Sequence, residues 1–417
     1  MKLASFSREK INVIIYMMTD MLAKGIPFLL LPIYTAFLAP DQFGNIAIFN
    51  VIVEIAIIFV VFGANSYYRV EYFNTTDKPK LFSQLFKNIL FTFPIAMLLQ
   101  AIFVWSELNP GNQEWPWLFA AVIIALMQSV VLMFIAEFQS QGKALHVGAI
   151  NLSSAVIVAS ITIVLLSFDF AEQARYWGFL IGSLSVAGIA WFGAKKLAVT
   201  PSFDNVKLSK PALSFGLGVL PHALSWWART GMDRMIIAKF VSVYHVGLYS
   251  IAAQISLIVI VISNAVNQAF TPKFMQMLTE KKYRQSFVLC LKIIAIYLLV
   301  SVLLAMSGPL LFDWFINAKY HEALLLLPLM CVIALCQAIV TLLSNFLYFF
   351  KKVKILSIIT STTSFMHVVI AYLVVESYGI NGIIISSIAT YVVAATIILI
   401  VTMKLLKGEH HAQNQPI

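Results

Sequence analysis

Continuous apolar runs of about 18 to 25 residues recur along the chain between short polar breaks, each long enough to cross ~30 Å of hydrocarbon as a helix. They predict twelve helical segments: 12–37, 45–64, 83–106, 117–137, 146–167, 176–195, 212–239, 247–270, 287–308, 323–349, 355–375 and 381–404. Apolar residues do not alternate with polar ones over ten-residue stretches, which excludes a transmembrane barrel. An all-α polytopic bundle remains, because backbone groups in hydrocarbon must be hydrogen-bonded within the segment. The first segment exceeds a signal-peptide core, contains Asp20 and Lys24 and lacks a small-residue cleavage pattern, so it is expected to remain as a mature helix.

The polar breaks are short, none above about twenty residues, leaving no room for a soluble catalytic domain between helices. The longest cytoplasmic connection, Lys195 to Lys210, falls midway and reads as a linker between an N-terminal six-helix half, 1–200, and a C-terminal half, 201–417. The halves echo each other. Setting Phe37 against Phe240 also sets Gly44 against Gly247 without a gap, Gly178 aligns with Gly382, and Gly142-Lys143 matches Lys351-Lys352. Parallel repeats about an axis along the membrane normal follow, each half supplying six helices.

Composition agrees with this pattern: 61% of the 417 residues are hydrophobic and 11% charged. The net charge of +10 is a topology signal. With the amino terminus inside, only Arg175, Lys239 and Lys319 among the loop cations fall outside, which places both termini in the cytoplasm. Cations dispersed over many short loops do not make a nucleic-acid surface. Cys290, Cys331 and Cys336 lie within helices and read as packing residues. No G-x-x-x-x-G-K-[ST] loop, H-E-x-x-H or Cys-x-x-Cys occurs, so neither ATP hydrolysis nor a metal site is indicated, and the chain is not expected to be an enzyme.

Intramembrane charges are the strongest chemical signal, since a charge near the midplane costs roughly 3 kcal/mol or more unless it meets a partner or a watery path. Lys24 lies near the midplane of the first segment with Asp20 about one turn towards the cytoplasm. Glu54 is central in the second segment. Arg229 is central in the seventh, with Asp233 on the same face and Arg234 about a third of a turn away. Each four-residue pair reads either as transport chemistry or as an intrahelical ion pair that neutralises a helix contact. Arg69, Glu137 and Lys143 sit at shallower helix ends, where topology alone also explains cations. His146, His222 and His367 read first as hydrogen-bonded polar tips in a bundle. Pro27 and Pro32 near the first pair, and Pro221 before Arg229, remove helical hydrogen bonds and are candidate hinges.

The run LLPIYTAFLAPDQFGNIAIF, Leu30 to Phe49, resembles the first hairpin of the polysaccharide-repeat flippases in the multidrug/oligosaccharidyl-lipid/polysaccharide exporter superfamily. SFGLGVLPHALSWWARTGMDRMIIAKFVSVYHVGLYSIAAQI, Ser214 to Ile255, is similar to that family's seventh-helix pattern, and FQSQGKALHVGAIN and YGINGIIISS follow in order. The resemblance implies two pseudo-symmetric six-helix bundles around a central cavity, alternating access in a bacterial inner membrane, and a substrate: an oligosaccharide repeat unit on undecaprenyl diphosphate, moved from the inner to the outer leaflet for O-antigen or capsule assembly. It also implies membrane lipids, a polysaccharide polymerase and chain-length machinery as partners, and no nucleic acid. A drug or small-solute cation antiporter of the same superfamily is the alternative. A diphosphate needs cations, for which Lys24 and Arg229 are the candidates. Asp20, Glu54 and Asp233 offset Lys24, Arg229 and Arg234 on paper. Two resolutions stand: the pairs are structural and Arg69 and Lys143 attract the diphosphate, or an acid is protonated in one state. The second expects coupling to protons, with sodium as the other ion; no further cofactor is expected.

Overall fold

The computed structural model describes residues 15, 18–19, 21–23, 25–105, 113–196, 201 and 206–413. All regular structure among them is helical: α1 Leu31–Phe37, α2 Pro40–Val61, α3 Ala64–Glu71, α4 Lys78–Trp105, α5 Trp115–Ser140, α6 Ala144–Leu166, α7 Gln173–Lys196, α8 Lys210–Phe240, α9 Val243–Thr279, α10 Tyr283–Met306, α11 Gly308–Phe315, a 3-10 turn Ala318–Leu325, α12 Leu327–Phe349 and α13 Val353–Gln413.

Nine of these, among the described residues, are long and apolar enough to cross a membrane. One of the nine, α13, is two spans: Gly379 (φ 56°, ψ −143°) breaks it into limbs 353–378 and 380–413. The charge-bearing, 31-residue α8 and the apolar stretch Met21–Phe37 complete twelve. The chain is a multi-pass membrane protein.

Several helices run past their expected ends. The eighth segment was expected to stop at 270, before Pro272, yet α9 continues through that proline to Thr279. Phe274 and Leu278 are buried in the core there, and that packing outweighs the missing proline N–H. The second segment does the opposite: Phe62 and Gly63 both take left-handed conformations, and α3 starts anew beyond them.

Contacts divide the chain into two compact units, Met1–Trp227 and Ala228–Ile417. The linker at 200/201 precedes this division because the first half of α8 packs within unit 1. A Cβ added at Gly216 would stand 2.3 Å from the Phe62 carbonyl oxygen, and the Trp227 indole donates to Val51 O at 2.9 Å.

In unit 1, α5 packs against α2, α3, α4, α6 and α7. Phe134 on α5 meets Phe82 and Phe86 of α4 and Trp191 of α7, ring centroids 5.5 to 6.2 Å apart. In unit 2, α12 takes the same position by chain order, packing against α9, α10 and α13.

The aligned positions have matching roles. Phe37 and Phe240 end α1 and α8, and Gly44 and Gly247 are each the fifth residue of the next helix. Lipid tails are as apolar as leucine, so close packing rather than water exclusion holds such helices together. At Gly178 an added Cβ would lie 2.2 Å from Thr162 Oγ1 on α6, and at Gly382 it would lie 2.9 Å from Val374 on the preceding limb. Cys290 and Cys331 are buried, Cys336 is partly buried, and all three are free thiols.

Candidate functional site

Four residues separate Arg229 and Asp233, so α8 presents both on one face, and both are buried in unit 2 at 6% and 3% exposure. They do not pair with each other. Asp233 Oδ1 lies 2.7 Å from His367 Nε2, and Oδ2 accepts the Tyr249 hydroxyl at 2.5 Å. His367, with no exposed surface, sets its other nitrogen 2.9 Å from Ser386 Oγ. Helix α9 therefore contributes a hydroxyl, one limb of α13 an imidazole and the other limb a serine.

The bond between His367 Nε2 and Asp233 Oδ1 needs one proton, which either side can carry. Ser386 can donate to Ile383 O at 2.8 Å, leaving its oxygen to accept from His367 Nδ1, or can turn its proton to that nitrogen. Both ring nitrogens of His367 are thus hydrogen-bonded in either tautomer.

Arg229 is held differently. Its Nη2 donates to Thr390 Oγ1 at 3.1 Å, and the guanidinium carbon lies 3.5 Å from the centroid of the Tyr391 ring. Thr390 sits one helical turn after Ser386 and donates its own proton to Ser386 O at 2.8 Å, which leaves its oxygen to accept. The Nε proton has no hydrogen-bond partner. A desolvated cation over an aromatic face gains about 2 kcal/mol, less than the several kcal/mol that burial of an ion costs. Arg229 is thus a buried cation with a spare donor and no carboxylate partner among the described residues.

Arg234 points elsewhere, donating to Ser250 Oγ at 3.1 Å and Thr230 O at 2.6 Å. In unit 1, Glu137 is buried at the end of α5, where its carboxylate accepts from the Tyr68 hydroxyl and the Gln141 amide. Glu54 on α2 and Arg69 on α3 are exposed, and Lys143 is partly exposed at the N-cap of α6. Asp20 and Lys24 lie outside the described residues. Pro32 is the second residue of α1, after a turn at Leu30, where its missing N–H is no loss; Pro27 falls in the helical stretch 25–29; Pro221 lies inside an unbroken α8.

Residues 10–278 match the family described as "Polysaccharide biosynthesis protein". The chain belongs to that family. Two curated relatives, both from Haemophilus influenzae, are each 26% identical to this polysaccharide biosynthesis family member: an "Uncharacterized membrane protein", aligned over 82% of this chain and 84% of its own length, and "Lsg locus putative protein 1", over 82% and 86%. Among solved structures, the inward-facing conformation of a multidrug resistance MATE family transporter of the MOP superfamily superposes with a TM-score of 0.64 at 15% identity, covering 96% of this chain and 98% of that one. The family member thus shares its fold with that transporter.

The sequence reading took Arg229 and Asp233 as a unit; the structure gives each its own set of partners. Tyr249, Ser386, Thr390 and Tyr391 were not singled out as site residues, although Ser386 and Thr390 are four apart on one helix limb. His367 was singled out as a hydrogen-bonded tip. It is that, and its partner is Asp233.

Proposed function

We propose that this protein is a flippase that moves an oligosaccharide on an undecaprenyl diphosphate carrier from the inner to the outer leaflet of the bacterial inner membrane by alternating access between its two bundles, both termini lying in the cytoplasm. The observation that carries this reading is Arg229, a buried guanidinium with a free Nε donor and no carboxylate partner among the described residues, in a member of a polysaccharide biosynthesis family. A diphosphate is the kind of ligand such a donor suits: a planar guanidinium forms charge-assisted hydrogen bonds to phosphate oxygens. The glycan needs a polar route through the bilayer, while the prenyl tail can stay in lipid.

Protons are the proposed coupling ion. The Asp233–His367–Ser386 chain offers a place for a proton one turn from Arg229, so its occupancy changes the field at the substrate cation. Polymerase and chain-length proteins are the proposed downstream partners. Arg69 and Lys143 remain candidates for first contact with the headgroup at the inner mouth.

A cation antiporter is the competing reading, favoured by the likeness to a multidrug transporter fold. A buried, unneutralised arginine repels a cationic substrate. Substituting Arg229→Ala, with membrane insertion verified, separates the two: the flippase loses surface polysaccharide, whereas a cation exporter keeps or improves efflux. Normal surface polysaccharide from that variant overturns the flippase assignment of Arg229.

A further inference from the structure

Three helices end in the same backbone turn. At the C-termini of α5, α9 and α12, Gly142, Lys281 and Lys351 take φ of 69°, 59° and 56°, and the next residue, Lys143, Lys282 or Lys352, donates its N–H to the carbonyl five residues back at 2.8 Å. This is the glycine-terminated helix stop, in which the left-handed position strains any residue that has a Cβ. Unit 1 fills it with Gly142. Unit 2 fills it twice with lysine.

Helix capping does not account for the difference. A cation near a helix C-terminus interacts well with the dipole, yet α5 achieves that with glycine at the strained position and lysine at the next. Topology does not account for it either, because orientation depends on charge anywhere in a short loop. The helices that carry the two lysine turns also pack together. Phe346 of α12, five residues before Lys351, meets Phe274 of α9 at 4.8 Å and Phe287 of α10 at 5.1 Å, either side of Lys281 and Lys282. Lys281, Lys282, Arg284, Lys351, Lys352 and Lys354 are all exposed there. Glu280 opposes them, 2.6 Å from Lys282, whose hydrogen bond keeps the Glu280 carboxyl below its usual range.

We propose that these paired turns form a docking surface for the phosphate groups of anionic phospholipids in the leaflet at that face, and that lysine is kept at the two strained positions to aim charge at the headgroups. Clustered cations beside a transmembrane helix are attracted by anionic lipid, and the attraction falls off within a Debye length. The surface lies apart from Arg229 and goes beyond the transport reading.

The test uses the purified full-length protein and reads its melting temperature with phosphatidylglycerol, with phosphatidylcholine, and with inorganic phosphate. Phosphatidylglycerol should raise the melting temperature above the phosphatidylcholine value, and salt should erase the difference. The double variant Lys281→Gly and Lys351→Gly fits both turns without strain, so it should melt at or above the wild-type temperature in phosphatidylcholine while losing about half or more of the phosphatidylglycerol shift. An undiminished shift in the double variant overturns the proposal, as does an equal shift from inorganic phosphate, which would make the ligand a free anion.

Discussion

Each unit buries a carboxylate against a tyrosine hydroxyl, Glu137 with Tyr68 in unit 1 and Asp233 with Tyr249 in unit 2, and the two carboxylates differ in what else touches them. Glu137 sits in the last turn of α5 and its second partner is the neutral Gln141 amide one turn on. Asp233 lies well inside α8, and its second partner is His367, reached from a helix limb 134 residues away. The first arrangement fastens α3 to α5. The second joins three helices through groups that can exchange a proton, next to an arginine with no carboxylate partner among the described residues. Similar burial thus serves a clasp in one unit and, on the present account, a switch in the other.

That contrast can be broken in graded steps. The largest effect is expected from Asp233→Asn, which removes the charge and with it the charge assistance of two hydrogen bonds, each about 1.5–3 kcal/mol when charged; transport should fall about 100-fold or more, judged by surface polysaccharide at matched membrane levels. His367→Gln keeps one polar contact but cannot carry a proton. It should slow transport about tenfold and abolish its response to an imposed proton gradient. Retained gradient dependence would remove His367 from coupling. In unit 1, Glu137→Gln should leave transport near the wild-type rate while lowering thermal stability, since one buried donor loses its acceptor at about 1–3 kcal/mol. A transport defect as deep as that of Asp233→Asn would erase the distinction between the units. Smallest is Tyr68→Phe, expected to weaken the clasp by about 1 kcal/mol with no change in coupling, read from a melting curve in detergent.

The architecture was legible because hydrocarbon demands long apolar helices, and the repeat because glycine at 178 and 382 answers one steric need twice. The site was half legible. Buried charge on α8 announced itself, but summing charges along the chain suggested that Arg229 and Asp233 cancel. Helical spacing allows that pair; the competing tyrosine and histidine come from α9 and α13, and nothing local to α8 reveals them. Glu54 looked central by segment arithmetic and is exposed, because depth along a helix does not fix the face on which a side chain lies. The strained lysines were invisible for a related reason: sequence marks a left-handed helix stop by glycine, and here lysine occupies it.

The central claim is that Arg229 is free to receive an anion because Asp233 is held by Tyr249 and His367. Its most direct test is flipping of a fluorescent undecaprenyl-diphosphate-linked sugar in proteoliposomes under an imposed proton gradient, comparing wild type, Arg229→Ala and Glu137→Gln at equal insertion. The account predicts transport by wild type and Glu137→Gln, and only background movement by Arg229→Ala. Wild-type rates from Arg229→Ala would contradict it.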